Sequence, residues 1–410
     1  MPELFTVVTP QDALARLFDH LPVHLQVESI PLIEALDRVT AESVVALGPL
    51  PSFARSTMDG YAVRAGDTFG ASESLPAYLS VAGESPMGRA PTFAIDTGQA
   101  AVIHTGGMLP RGADAVVMIE WTQQTRENEI EVLHSVAVGE NVVQIGEDVQ
   151  AGQALLSQGH RIRAQDMGGL AAIGISRVSV ARRPRVSILA TGDEVVSTEA
   201  EPAPGQVRDV NTYTLAGLIL RAGGLPISDG IIADDFEALL RAARRALDAG
   251  DALVLSAGSS VSVRDMTAEV IGRLGQPGVV VHGVSIKPGK PTILAVCDGK
   301  PVFGLPGNPV SAMVVADLFL TPTLWRMQGC ADGPDHRSIR ARLARNVAST
   351  PGREDYIQVR LTERGGETWA EPIFGKSNLI YTLVRADGLM VIPLDATGVQ
   401  EGQLVDVRIF

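Results

Sequence analysis

The chain has 410 residues, 45% hydrophobic and 4% aromatic, with 34 lysines and arginines against 47 acids, a formal charge of −13. At about 150 residues per domain this implies roughly three domains and excludes a disordered chain. So few aromatics and so little positive charge exclude stacking platforms for single strands and general binding of phosphate backbones, so no nucleic-acid partner is expected.

Residues 8–20 read as a helix, with Thr9 as N-cap and Pro10 at its first position. "IPLIEALDRVTAESVVA" (30–46) continues in helical period. From Gly48 the texture turns to Gly, Pro and short β-like runs such as "AYLSVAGE", "AAVIHTGG", "DAVVMIE" and "EIEVLHSVAVGENVV", a β-rich insertion. "AQDMGGLAAIGIS" (164–176) returns to helix. Residues 181–330 alternate strand and helix, which predicts a mostly parallel sheet covered on both faces. "PVSAMVVADLFLTPTLW" reads as one helix with Asn308 as N-cap and Pro309 at N1. "SIRARLAR", "DYIQVRLTE", "GLMVIPL" and "QLVDVRIF" are period-2 strands that predict a small barrel or sandwich.

The N-terminal stretch lacks a basic n-region and no 18-residue apolar run occurs, so no membrane span is expected. Cys297 and Cys330 fit no metal-ligand spacing and suggest a reducing compartment. A cytoplasmic protein is the expectation.

Four unusual loops follow predicted strands of the third piece: "TGDE" (191–194), "SAGSSVSVRD" (256–265), "KPGK" (287–290) and "LPGNP" (305–309). Ligands of open α/β sheets sit at the carboxyl ends of strands, so these loops share one rim. There Lys287 and Lys290 offer positive charge to an anion, each charge-assisted hydrogen bond contributing about 1.5–3 kcal/mol. The helix opened by "PGNPVS" presents free N–H groups beside them. The same rim carries Asp193, Glu194, Asp234, Asp235 and Asp265. Carboxylates about 5 Å apart repel by roughly 3 kcal/mol at an effective dielectric of 20, and such a cluster calls for a cation. Oxygen ligands beside phosphates indicate Mg²⁺ rather than zinc. The bland readings are a solvated Gly/Pro turn for the lysines and helix caps for Asp234 and Asp235. P-loop, GxGxxG, GxSxG and HExxH motifs are absent from the sequence.

In order along the chain stand "PSFARSTMDGYAVRAGD", "HTGGMLPRGADAVVMIE", "GEDVQAG", "LATGDEVV", "KPGKP" and "LPGNPVSA". Together they resemble the MoeA-type molybdopterin molybdenumtransferases, whose animal relative is the C-terminal part of gephyrin. The resemblance implies an elongated helical domain made from 1–48 and 147–180, and an inserted β-rich lid over 49–146. It further implies a MogA-like doubly wound α/β molybdopterin- and nucleotide-binding domain over 181–330 and a C-terminal β-barrel over 331–410. It implies molybdenum insertion, with adenylated molybdopterin and molybdate as substrates and Mg²⁺-dependent release of AMP. The family's enzymes are homodimers whose cleft is shared between subunits. The molybdopterin-adenylating enzyme and acceptor molybdoenzymes are the further partners this implies.

By the same resemblance the lid offers Asp59, Thr105 and Asp148, with Asp59 catalytic. Glu194, Asp234 and Asp265 surround the magnesium and adenylate as ligands and catalytic groups. Lys287, Lys290, Ser311, Arg353 and Ser377 face phosphate or molybdate. The family commonly reads "SGGVSVGEAD" where this chain has "SAGSSVSVRD". Ala257 and Ser262 thus replace glycines, while Ser259 and Ser260 become candidate phosphate donors. The rival readings are molybdopterin adenylation, which uses the same α/β domain, and a non-catalytic pterin-binding scaffold dimer. Molybdate and tungstate have nearly the same size and charge, and the sequence leaves that choice open.

Overall fold

The computed structural model describes residues 7–257, 261–330, 333 and 337–410, and the side chains of 261–265 lie outside the described part. Helix α1 (Pro10–His20) begins as its sequence dictates, with Thr9 Oγ1 accepting the Asp12 N–H at 3.1 Å. Its buried Ala13 and Leu17 join the core of the α/β sheet described below.

The helix expected over 30–46 does not form. Strand β1 (Val27–Pro31) is followed by one 3₁₀ turn at Leu32–Glu34, and Val44–Val45 is again extended. Pro31 brings no N–H to a helix, and Asp37 adopts φ 62°. Ile30, Leu32 and Ala35 are buried while Ile33 and Leu36 face solvent, so the apolar residues do not share one helical stripe.

The insertion is a six-stranded sheet. Its strands are β2 (Gly60–Val63), β3 (Ala77–Glu84), β4 (Gln99–Ile103), β5 (Ala115–Met118), β6 (Thr122–Arg126) and β7 (Glu129–Val132), in the order β5-β2-β4-β3-β7-β6. Successive residues such as Ala62 and Val63, or Val116 and Val117, fall in different apolar clusters, so both faces are covered. The chain returns through α2 (Ala164–Ala172) and β8 (Arg177–Ala181), which pairs antiparallel with β1.

Next comes the α/β unit: β9 (Arg185–Thr191), α3 (Asn211–Arg221), β10 (Leu225–Ile232), α4 (Phe236–Ala249), β11 (Ala252–Ala257) and α5 (Val261–Gly272). It continues through β12 (Pro277–His282), the short β13 (Ile286–Lys287), β14 (Ile293–Cys297), β15 (Lys300–Pro306) and α6 (Pro309–Val315). The sheet order is β10-β9-β11-β15-β14-β12, parallel through β15 and antiparallel beyond it. Helices α1, α3 and α6 cover one face and α4 and α5 the other, as the near-continuous apolar strands require. The helix expected as one piece from Pro309 changes to a π-helical turn at Ala316–Leu320 before α7 (Thr321–Met327).

Strands β16 (Ser338–Leu343), β17 (Glu354–Arg364), β18 (Glu367–Pro372), β19 (Gly388–Ile392) and β20 (Leu404–Ile409) form the C-terminal sheet. Its order β17-β18-β16-β20-β19 closes on itself because β19 also pairs with β17, giving a five-stranded barrel. Strand β13, which carries Lys287, adds in parallel to β17. The lysine turn of the α/β unit is thereby hydrogen-bonded onto the barrel.

Candidate active site

The turn after β13 is held tightly. Val284 N–H donates to Lys290 O at 2.9 Å and Thr292 Oγ1 to Gly289 O at 2.6 Å. Gly289 has φ 111°, and a Cβ there would lie 2.5 Å from Val315 Cγ2 of α6, so only glycine fits. The turn packs on α6 and leaves the exposed Lys287 and Lys290 at a cavity of about 730 Å³. Ser311, Arg353 and Ser377 line the same cavity, so five residues singled out in the sequence come together from the α/β unit and the barrel.

Lys376, not singled out, lines it too. The sequence holds four lysines, at 287, 290, 300 and 376. Three of them line this cavity, which has no Asp or Glu in its wall among the described residues. The fourth, Lys300, donates to Leu247 O and Gly250 O at 2.6 and 2.9 Å and closes the end of α4. In a chain of charge −13, this is a built island of positive charge.

A second cavity, about 540 Å³, lies at the carboxyl ends of β9, β11 and β15 and is lined by Thr191, Glu194, Asn211, Ser256 and Asn308. Segments 308–311 and 377–378 contribute to both cavities, joined where Val310 N–H donates to Ser377 O at 3.1 Å. Asn211 is 6% exposed, and its Nδ2 donates to Ser256 Oγ at 2.7 Å and Gly307 O at 2.8 Å. A carbonyl only accepts, so these bonds fix the amide orientation and leave Oδ1 buried without a partner. Sequence reasoning missed Asn211, which looks like an ordinary residue at a helix start.

Beside the second cavity the acids gather in part. Asp234 N–H donates to Asp193 Oδ1 at 3.2 Å. Burial, with the charges of Asp193 and Glu194, raises the Asp234 pKa above the usual carboxylate range. Asp234 Oδ1 is buried, with the Thr191 hydroxyl as its neighbour. Gly192, at φ 143°, leaves room for this arrangement, since a Cβ there would lie 2.9 Å from Glu194 Oε2. Asp235 is the N-cap of α4, accepting the Ala238 N–H at 2.7 Å, as the bland reading held.

The loop expected over 256–265 is shorter than its sequence suggested: α5 starts at Val261 and carries the backbone of Asp265. Ser259 and Ser260 lie outside the described residues, as does the side chain of Asp265. Among the described residues no three His, Cys, Asp or Glu side chains are grouped to hold a metal. The buried carboxylate of Asp234 and its acidic neighbours nevertheless fit a hard cation.

The candidate residues of the insertion stand apart from both cavities of this chain. Asp59 Oδ1 accepts the Thr105 N–H at 2.7 Å and the Thr105 hydroxyl at 3.1 Å. These bonds, the backbone one first, lower the Asp59 pKa. His104 stands beside the pair, Nδ1 at 3.8 Å from Asp59 Oδ1 and Nε2 at 3.1 Å from Glu84. Asp148 is exposed, and its N–H donates to Leu50 O at 3.1 Å. None of Asp59, Thr105 and Asp148 lines either cavity.

A doubly wound α/β unit with a lysine-lined cavity and an adjoining acid-edged cavity at the carboxyl ends of its strands has the layout of the open α/β proteins that take their ligands at the rim of the sheet. Family models match along the chain: the MoeA N-terminal region (domain I and II) over 8–174, a probable molybdopterin binding domain over 187–326, and the MoeA C-terminal region (domain IV) over 340–410. The chain belongs to the MoeA family. A molybdopterin molybdenumtransferase of Haemophilus influenzae is 32% identical over 408 residues, 98% of this chain and 99% of that one. Another, of a Nostoc species, is 34% identical over 381 residues, 92% of this chain and 87% of that one. The crystal structure of a molybdopterin biosynthesis MoeA protein from Pyrococcus horikosii superposes with a TM-score of 0.85 at 37% identity, covering 98% of this chain and 99% of that one.

Proposed function

We propose that this protein is a molybdopterin molybdenumtransferase that inserts molybdate into adenylated molybdopterin and releases AMP. The observation that carries this reading is the convergence of three of the four lysines, with Arg353, Ser311 and Ser377, on one cavity next to the rim of the sheet that no described Asp or Glu lines. Lys287, Lys290 and Lys376 attract the tetrahedral dianion, and Ser311 and Ser377 donate to its oxygens. Thr191 and Asn211 line the second cavity, which takes the adenylated pterin; Asn211 Oδ1 accepts from a donor on that ligand. The common wall keeps the two substrates adjacent, which lowers the entropic cost of their meeting.

Glu194 and Asp234, with Asp265, would hold Mg²⁺. When bound, the ion would neutralise charge developing on the adenylate phosphate. Lys287 and Lys290 would supply cationic donors next to that phosphate whether or not the ion is present.

Two copies of the chain make the complete cleft. Asp59 and Thr105 are preorganised yet remote from this chain's own cavities. Ile33 is 82% and Leu47 91% exposed, with Leu36 and Val45 also open, which supplies an apolar surface for a second copy. Candidate further partners are the enzyme that adenylates molybdopterin and the acceptor molybdoenzymes. No helix among the described residues is long and apolar enough to cross a membrane. We place the protein in the cytoplasm, in keeping with its two free cysteines.

The test is incubation with adenylated molybdopterin, Mg²⁺ and molybdate. AMP release coupled to molybdenum transfer is the expected result. Consumption of ATP by free molybdopterin would instead identify the adenylating step, and binding without turnover a scaffold.

A further inference from the structure

We infer that Asp355, buried behind the anion pocket, is the residue that lets the pocket choose among oxyanions, by turning Arg353 from a loose charge into a fixed donor. The inference rests on the reading of this pocket as the molybdate site. Asp355 has 0% of its surface exposed. Its Oδ1 accepts from Arg353 Nε at 2.8 Å, and its Oδ2 lies 3.4 Å from Arg353 Nη2. Arg353, partly exposed, lines the cavity beside Lys287 and Lys290. In the parallel pairing of β13 with β17, Asp355 is the register partner of Lys287. One buried carboxylate therefore sits at the junction between the arginine and the lysine turn.

The chemistry of the pair differs from that of the lysines. Arg353 and Asp355 together carry no net charge, so the pair adds little to long-range attraction. Three lysines already supply that, and an ammonium on a flexible stem accepts any dianion. A guanidinium gripped through Nε and Nη2 presents its remaining N–H groups in one plane and one direction. Such a donor rewards an oxyanion whose oxygens fall at the right separation and penalises one whose oxygens do not. Burial of Asp355 keeps water from competing for the grip. Asp355 touches no substrate in this account; it is a positioning residue.

The prediction is read as the ratio of sulfate to molybdate dissociation constants, measured by titrating each ion into the full-length protein. Both ions are dianions, so a change in overall pocket charge cancels in the ratio. A loss of stability alone leaves the ratio unmoved as well. Asp355→Asn and Arg353→Ala should each lower the ratio by about tenfold, the order expected for one misplaced charged hydrogen bond. The double variant should fall no further than Arg353→Ala. Should Asp355→Asn fail to fold, Asp355→Glu keeps the charge, shifts the carboxylate by one methylene, and should lower the ratio in the same sense. An unchanged ratio in both Asp355 variants, with Arg353→Ala lowering it, would overturn the role of Asp355 while leaving Arg353 in the pocket. Additive effects in the double variant would also overturn it, because Asp355 would then act by another route. If molybdate binds with unchanged affinity in Arg353→Ala and in Lys290→Met, the pocket is not the molybdate site, and this inference falls with that reading.

Discussion

At the scale of single residues, the site depends on positions where no other side chain fits. Gly192 is the clearest on the acidic side. An alanine there would be strained at φ 143° and would press on the Glu194 carboxylate. Gly192→Ala should cost about 1–2 kcal/mol of stability, seen in urea unfolding. It should also raise the magnesium concentration that supports half-maximal AMP release; an unchanged magnesium requirement would remove Glu194 from the cation site. Lys287, Lys290 and Glu194 were legible in the sequence because they sit in short loops after strands, where a charged residue has few ways to point, whereas Asp59, Thr105, Asp148, Ser311, Arg353 and Ser377 were named only through the family resemblance. Lys376 was not legible, since "FGKSN" is a short segment whose serine alone matched a known pattern. Asp355 was not legible either, because it opens the strand "DYIQVRLTE", where a charged residue carries no sign of burial. In the folded chain β13 pairs with β17 beside it and Asp355 is fully buried.

At the scale of elements, local sequence decided some pieces and tertiary pairing decided others. Helix α1 carries its cap, its proline and its apolar stripe in its own sequence, and it formed where expected. Residues 30–46 carry a plausible helical period, but β1 finds its partner in β8, about 150 residues later, and no local pattern reports that. The start of α5 was likewise hidden, because a serine-rich stretch reads as loop until its helix is seen. Helix α2 offers a test of element-level electrostatics. Arg163 N–H donates to Asp166 Oδ2 at 2.8 Å, Arg163 Nη2 reaches Oδ1 at 2.9 Å, and His160 Nε2 lies 2.7 Å from Oδ2. The Arg163 guanidinium first, then His160 and the backbone N–H, hold the Asp166 carboxyl well below the usual range. A depressed folded-state pKa gives stability that is present above the unfolded value, about 3.9, and is lost as pH falls through the folded one. Asp166→Asn should therefore lower unfolding free energy at pH 7 by about 1–2 kcal/mol, and the gap from wild type should close in acid below about pH 3. A gap independent of pH would assign the loss to packing instead of charge.

At the scale of the whole molecule, the three six- and five-stranded sheets were each foreshadowed by texture: short β-like runs between Gly and Pro in the insertion, period-2 strands in the barrel, β/α alternation between them. The sequence did not show that α1 packs on the α/β sheet, nor that β13 leaves that sheet to join the barrel. That second feature fixes the lysine turn against Arg353 and makes one pocket from two units. The separation of Asp59 and Thr105 from both cavities gives a test of assembly. Mixing Asp59→Asn subunits with Lys290→Met subunits should restore part of the AMP-release activity that each variant lacks alone, because one of the two clefts in a mixed dimer is intact. Mixed dimers that form and stay inactive would mean that each cleft is built within one chain. Whether the lysine pocket admits molybdate to the reaction is read from the KM for molybdate in AMP release from adenylated molybdopterin, compared between wild type and Lys290→Met. A rise of about tenfold or more, with the melting temperature unchanged, is the result predicted from the loss of one charged hydrogen bond. An unchanged KM would contradict it.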